Sequence, residues 1–214
     1  MSFTFPKLYP ILDASIIPAT GRADFLRRLG GSLAESGVTL LEYRNKTGAE
    51  ADLLADAAVL REALPAGQVR LILDDRADLA EQIGFDGVHV DAGDMKPAEA
   101  RRLLGPERIV GTFGGGASGM VPGILETPAD YFSIGPVFAT RTKQTSLPLI
   151  GMDGIRRLRA EAGAAPVLVA IGGITLATVA EAFAAGASVV AMAGGIFRQP
   201  DPAAEFRRWM AELV

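Results

Sequence analysis

The sequence predicts an α/β chain folded as a single (β/α)8 barrel, the TIM barrel, with residues 1–214 forming one domain. Three observations carry this reading. Eight short apolar runs alternate with longer segments of helical period from one end of the chain to the other. No linker or low-complexity tract interrupts them. The first turn, Asp13-Ala14-Ser15-Ile16-Ile17-Pro18, lacks the Gly-rich fingerprint that usually opens a doubly wound sheet.

Taken in order, the predicted strands are Leu8–Leu12, Thr39–Tyr43, Arg70–Asp74, Gly87–Val90, Ile109–Thr112, Tyr131–Ile134, Val167–Ile171 and Val189–Met192. Each is a short run dominated by apolar residues. Between them, helices are expected over Ala23–Glu35, Ala49–Leu64, Ala77–Ile83, Pro97–Leu104, Gly151–Glu161, Leu176–Ala184 and Ala203–Leu213. Several of these starts carry a cap or first-turn signal: Asp75 ahead of Ala77, Pro97 itself, Thr175 ahead of Leu176, and Pro202 ahead of Ala203. The fifth crossover is the weak one. Residues 114–125 read Gly-Gly-Gly-Ala-Ser-Gly-Met-Val-Pro-Gly-Ile-Leu, a density of breakers that predicts a short or partly irregular segment.

A chain of 214 residues with 49% apolar content can bury one substantial core without a second domain. The formal charge is -4, from 25 acidic and 21 basic residues. No basic run exceeds two residues, so a nucleic-acid footprint is not expected and any anion must be bound locally. The absence of cysteine excludes disulfides, zinc–thiolate sites and a cysteine nucleophile, and reads as a cytoplasmic composition. The start, Met1-Ser2-Phe3-Thr4-Phe5-Pro6-Lys7, does not read as a signal peptide, and runs such as 167–171 and 189–193 are too short to span a bilayer. No membrane partner is expected; homo-oligomer formation is left open.

In a barrel of this kind, functional residues gather at the C-terminal ends of the strands. After the second strand, Glu42, Arg44 and Lys46 alternate, so their side chains leave on one face. The planar fork of Arg44 and the point charge of Lys46 suit a pyrophosphate. Asp74 and Asp75 end the third strand, and Asp91 and Asp94 follow the fourth. Carboxylates from adjacent strand ends suit Mg²⁺, although Asp75 also fits an N-cap.

The sixth strand runs into Gly135-Pro136-Val137-Phe138-Ala139-Thr140-Arg141-Thr142-Lys143, which sets two hydroxyls and two cations side by side and suits phosphate. The last two strands end in Gly172-Gly173 and Gly194-Gly195, whose backbone N–H groups can approach an anion closely. His89, inside an apolar run, has the chemistry of an acid or base. With no second histidine or nucleophilic pair beside it, a packed or hydrogen-bonded role is the simpler expectation.

These segments together resemble the thiamine-phosphate synthase family, within the thiamine monophosphate synthase and thiazole tautomerase superfamily. The resemblance covers most of the chain and lies in the segments 41–46, 73–80, 86–90 with Asp94, 135–143 and 170–175. It implies a transferase that joins a pyrimidine diphosphate to a thiazole phosphate. The pyrophosphate leaves to give a pyrimidine carbocation, which the thiazole nitrogen captures.

The family pattern makes Arg44, Lys46 and Lys143 ligands of the diphosphate, and Asp75 and Asp94 holders of Mg²⁺. Thr140 and Thr142, with Arg141 between them, would bind the thiazole phosphate together with the backbone of Gly173, Ala193 and Gly194. Glu42, Asp74 and Phe113 stand where the family usually has Gln, Asn and Ser. Two amides have thus become carboxylates in a site for an anion. An additional metal ion, a protonated Glu42 or Asp74, or a different substrate would each offset that charge. Two relatives in function compete with this reading: a thiazole tautomerase-like enzyme, and a non-catalytic barrel that binds a phosphorylated ligand.

Overall fold

Strands buried on both faces need apolar side chains in both phases of the two-residue alternation, and the short runs of this sequence supply them. The computed structural model describes residues 3–46, 48–91, 93–140 and 146–213. Its strands are β1 (Leu8–Asp13), β2 (Leu40–Arg44), β3 (Arg70–Asp74), β4 (Gly87–Val90), β5 (Ile109–Gly116), β6 (Gly119–Met120), β7 (Tyr131–Ile134), β8 (Leu168–Ile171) and β9 (Val189–Met192). The order β4-β3-β2-β1-β9-β8-β7-β5 is closed by pairing of β4 with β5, so eight parallel strands form the predicted barrel. Closure leaves no barrel edge to cover.

The helices are α1 (Arg22–Glu35), α2 (Glu50–Ala63), α3 (Ala77–Ala80), α4 (Pro97–Leu104), α5 (Gly151–Ala162), α6 (Leu176–Ala184), α7 (Gly194–Phe197) and α8 (Pro202–Glu212). Leu26, Leu29 and Leu33 recur at helical spacing and form the buried stripe of α1. Gly30 in that stripe lets α2 come close, since a Cβ there would meet the Cβ of Ala63 at 2.7 Å. At the start of α8, Asp201 accepts from the Ala204 N–H at 2.9 Å and Pro202 occupies the first turn. None of the described helices is long and apolar enough to cross a membrane.

Two segments depart from the sequence expectation. Helix α3 is a single turn, because the Phe85 N–H turns back to the Ala80 carbonyl and Gly84 takes a left-handed φ of 71°. In the fifth crossover the glycines extend the strand: β5 runs on to Gly116, with a register shift between Phe113 and Gly115, and β6 folds back antiparallel on it. A Cβ on Gly114 would come within 2.6 Å of the Phe132 Cβ, and one on Gly115 within 2.7 Å of the Gly119 carbonyl oxygen. Only a 3-10 turn, Ile124–Glu126, follows before β7. Helix α5 secures this hairpin: Glu161 accepts from the Met120 N–H at 2.7 Å, and Arg157 donates to the Ala117 carbonyl at 2.9 Å.

One layer of core lies between barrel and helices, and a second fills the barrel with Tyr9, Ile11, Leu40, Ile72, Ile109, Tyr131, Val169, Val189 and Ala191. Room for the Tyr131 ring comes from Gly111, where a Cβ would overlap the ring. One pleat closer to the C-terminal mouth, the inward positions turn polar: Glu42, Asp74, His89 and Ser133 are all buried. That change of character within one face marks where packing ends and a site begins.

Candidate active site

Above the barrel's apolar plug opens a cavity of about 790 Å³, a size that accommodates two small heterocycles. The inward phases of the strands line it: Tyr9 and Ile11 from β1, Glu42 and Arg44 from β2, Asp74 from β3, and His89 with Asp91 at β4. Phe113, Tyr131, Ser133, Ile171 and Ala193 continue the ring. Of the residues expected from sequence, Glu42, Arg44, Asp74, Phe113, Thr140, Gly173, Ala193 and Gly194 all face this one space. Lys46 and Asp75 join it at the rim through Asp74 and through each other. Arg141, Thr142 and Lys143 lie outside the described residues.

The cationic rim is already neutralised by acids. Arg44 pairs with Asp13 and stands 3.5 Å from Asp74, while Lys46 pairs with Asp75 and stands 3.1 Å from Asp74. Burial opposes the Lys46 charge, but Asp74 and Asp75 outweigh it and raise the Lys46 pKa. Burial likewise opposes charge on Asp13, yet the Ser15 hydrogen bonds and the Arg44 guanidinium hold its carboxyl below the usual range.

Asp75 has a φ of 67°, the one non-glycine in the left-handed region among the described residues. Its N–H donates to the His89 carbonyl at 2.8 Å, which anchors this turn to the end of β4. Asp75 Oδ1 is buried without a hydrogen-bond partner. Asp94, whose Oδ2 accepts from the Asp91 N–H at 2.9 Å, has its pKa raised first by burial and then by Asp75. Two neighbouring carboxylates, one with an orphaned oxygen, fit a hard divalent cation. Among the described residues no group of three His, Asp or Glu side chains could hold a metal. A pair of carboxylates suits an ion such as Mg²⁺, which completes its shell with water and phosphate oxygens.

A hydrogen-bonded chain crosses the cavity floor. Tyr9 donates to Glu42 Oε2 at 2.9 Å, the Tyr9 and Tyr131 hydroxyls meet at 3.0 Å, and the Tyr131 hydroxyl lies 3.0 Å from His89 Nδ1. His89 Nε2 stands 3.4 Å from Asp91 Oδ1. The direction of the first bond dictates the others. With its proton committed to Glu42, Tyr9 accepts from Tyr131, and Tyr131 accepts from an N–H at His89 Nδ1. Asp91, an acceptor, calls for a second N–H at Nε2, so the chain selects the imidazolium.

The electrostatics agree with this polarity. Burial alone would lower the His89 pKa, but Asp91, Glu42 and Asp74 push it up to about 9. The Glu42 carboxyl is pushed up to about 7 by burial and by Asp74, with His89 pulling the other way. Asp74 is raised by burial, against the pull of His89 and Lys46. The raised proton affinity of His89, Glu42 and Asp74 acts against the charge of the two carboxylates that stand in place of amides.

On the far side of the barrel, the loop after β8 carries left-handed Gly172 and Gly173 at φ 104° and 64°. A Cβ on Gly173 would overlap the Ala139 carbonyl oxygen, and the Phe138 N–H donates to the Gly172 carbonyl at 2.9 Å. The loop after β7 therefore packs directly on that glycine pair, which brings Thr140 and Gly173 to the same wall. Gly194 and Gly195, at the start of α7 after β9, complete it. Sequence reasoning passed over Tyr9 and Tyr131 and did not assign Asp13. Their signal was the phase of the alternation, which puts Tyr9 with Ile11 and Asp13, and Tyr131 with Ser133, on the inward face.

Comparison with known proteins bears directly on this geometry. The family profile of thiamine monophosphate synthase matches residues 8–196. The chain is 41% identical over 195 residues to the thiamine-phosphate synthase of Koribacter versatilis, covering 91% of this chain and 90% of that protein. It is 34% identical to the thiamine-phosphate synthase of Chloroflexus aurantiacus, over 96% of this chain and 91% of the other. Among solved structures, thiamine phosphate pyrophosphorylase from Pyrococcus furiosus superposes with a TM-score of 0.74 at 25% identity, covering 97% of this chain and 96% of that one.

Proposed function

The chain belongs to the thiamine monophosphate synthase family, and on that premise we propose that its cavity couples 4-amino-2-methyl-5-hydroxymethylpyrimidine diphosphate to thiazole phosphate. The products are thiamine phosphate and pyrophosphate. The bond from the pyrimidine methylene to oxygen breaks, its electron pair leaving on pyrophosphate. The thiazole nitrogen then donates its lone pair to that methylene carbon. The displacement runs between the two substrates, so no protein nucleophile is needed.

One observation carries this reading. A single cavity joins Arg44 and its neighbouring acids at the ends of β2 and β3 to a wall of glycine backbone at β8, three strands round the ring from β2 and four from β3. Such a cavity has one place for a leaving diphosphate and another for a phosphate that stays. Arg44, Lys46 and Lys143 would bind the diphosphate and stabilise the charge that grows on it. Asp75 and Asp94 would hold Mg²⁺, which when bound supplies further positive charge for the leaving group. Thr140, Arg141, Thr142 and the N–H groups at Gly173, Ala193 and Gly194 would orient the thiazole phosphate. Phe113 and Glu42 would flank the pyrimidine, and a cytoplasmic setting belongs to the same proposal.

The test is to incubate the protein with both substrates and Mg²⁺. Thiamine phosphate with stoichiometric pyrophosphate is expected. Isomerisation of the thiazole alone would replace the reading with a tautomerase, and binding of both ligands without turnover would leave a binding barrel.

A further inference from the structure

We propose that Arg198 is a ligand of the thiazole phosphate and adds a cation to that site from the β9 side, opposite the loop that carries Thr140 and Arg141. This rests on the reaction proposed above and extends it to a residue outside the motifs that pointed to that reaction. A phosphate monoester carries between one and a half and two negative charges near neutrality, roughly. Among the described residues, the groups that face it on the glycine wall, the Gly173, Gly194 and Gly195 backbone and the Thr140 hydroxyl, are neutral. Elsewhere in the same cavity, Glu42, Asp74 and Asp91 present carboxyl groups.

Two arginines line this space, and they differ in one respect. Arg44 is engaged by Asp13 and Asp74. Arg198 is exposed, and among the described residues its side chain makes no hydrogen bond or ion pair. Its backbone is fixed all the same. The Arg198 N–H donates to the Gly194 carbonyl at 3.3 Å, and the two preceding residues, Ile196 and Phe197, are buried. The guanidinium therefore starts one turn beyond the glycines, on a stem long enough to fold over whatever they hold. A planar fork is the group best suited to two oxygens of one phosphate.

Steady-state kinetics on Arg198→Ala and Arg198→Lys test this, each substrate being varied in turn. For Arg198→Ala the KM for thiazole phosphate should rise about tenfold, as expected for loss of one charged hydrogen bond, with part of it recovered in Arg198→Lys. The KM for the pyrimidine diphosphate and the circular dichroism spectrum should not change. The thiazole alcohol, which lacks the phosphate, should be used equally by wild type and variant. An unchanged KM for thiazole phosphate overturns the assignment, as does an increase that falls on the diphosphate or equally on the alcohol. Should the wild type form no thiamine phosphate, the reaction itself is at fault. Calorimetric titration with thiazole phosphate then decides on Arg198: weaker binding by Arg198→Ala sustains the role, and equal binding removes it.

Discussion

Tyr131 lies across Gly111, its ring in the space that any side chain there would take. The same ring stacks on His89 at 5.5 Å, and its hydroxyl meets Tyr9 at 3.0 Å. Gly111→Ala is thus an overpacking change beneath the cavity floor. It should cost about 1–3 kcal/mol of stability and lower turnover by displacing the hydroxyl that links His89 to Tyr9. Denaturant unfolding and a turnover assay read the two effects separately; an unchanged midpoint would show that the ring has other room.

Asp74 stands 3.5 Å from Arg44 and 3.1 Å from Lys46, the cations proposed to bind the diphosphate. Asp74→Asn removes the competing charge while keeping the shape, so the KM for the pyrimidine diphosphate should fall. A rise in that KM would mean that Asp74 orders the cations and does not occupy them. Running the same variant through a magnesium titration addresses the ion count: an unchanged metal dependence argues against a second ion held by Asp74.

Asp75→Asn should raise the Mg²⁺ concentration for half-maximal activity by about tenfold or more, and a chelator should stop the wild-type reaction. Equal magnesium curves for variant and wild type would detach Asp75 from the metal.

Stability should decline from mildly acid to alkaline pH. Glu42 is raised from 4.5 to about 7, and His89 from 6.5 to about 9. In both cases the folded chain binds the proton more tightly, so each contribution is present below the unfolded value and lost as pH rises through the folded one. Glu42 governs the window from about 4.5 to 7, and His89 that from about 6.5 to 9. Glu42→Gln should flatten the lower window and make the upper slope shallower, because the Glu42 carboxylate is one of the groups that raise His89. A wild-type melting temperature that climbs between pH 5 and 9 would contradict both assignments.

Lys143 follows the hydroxyl-rich loop and carries its role by motif. Lys143→Ala should reduce turnover by about 100-fold or more with no change in melting temperature. Full activity would take it out of the reaction.

Most of the barrel could be read from the chain because parallel strands buried on both faces are short unbroken apolar runs, as in Leu71-Ile72-Leu73 or Val189-Val190-Ala191. The crossover at 114–125 resisted for the opposite reason. Glycine density says that a helix is unstable but not what replaces it, and the hairpin depends on contacts with Phe132 and α5 that no local pattern encodes. In the site, residues with strong chemistry at strand ends, such as Arg44 and Asp75, stood out. Tyr9 and Tyr131 did not, because an aromatic in an apolar run looks like packing until the barrel closes and sets two hydroxyls face to face. The state of Glu42 is likewise a property of its surroundings: burial and the nearness of Asp74, His89 and Tyr9 determine it.

The left-handed backbone of Asp75 has a consequence for redesign. Glycine would adopt φ 67° without the penalty of about 1 kcal/mol that a side chain incurs there, so a search for sturdier variants would favour Asp75→Gly. The gain would remove a carboxylate from the proposed metal site. Durability and chemistry make opposite demands at this position, and a melting-temperature screen alone would select the less useful protein.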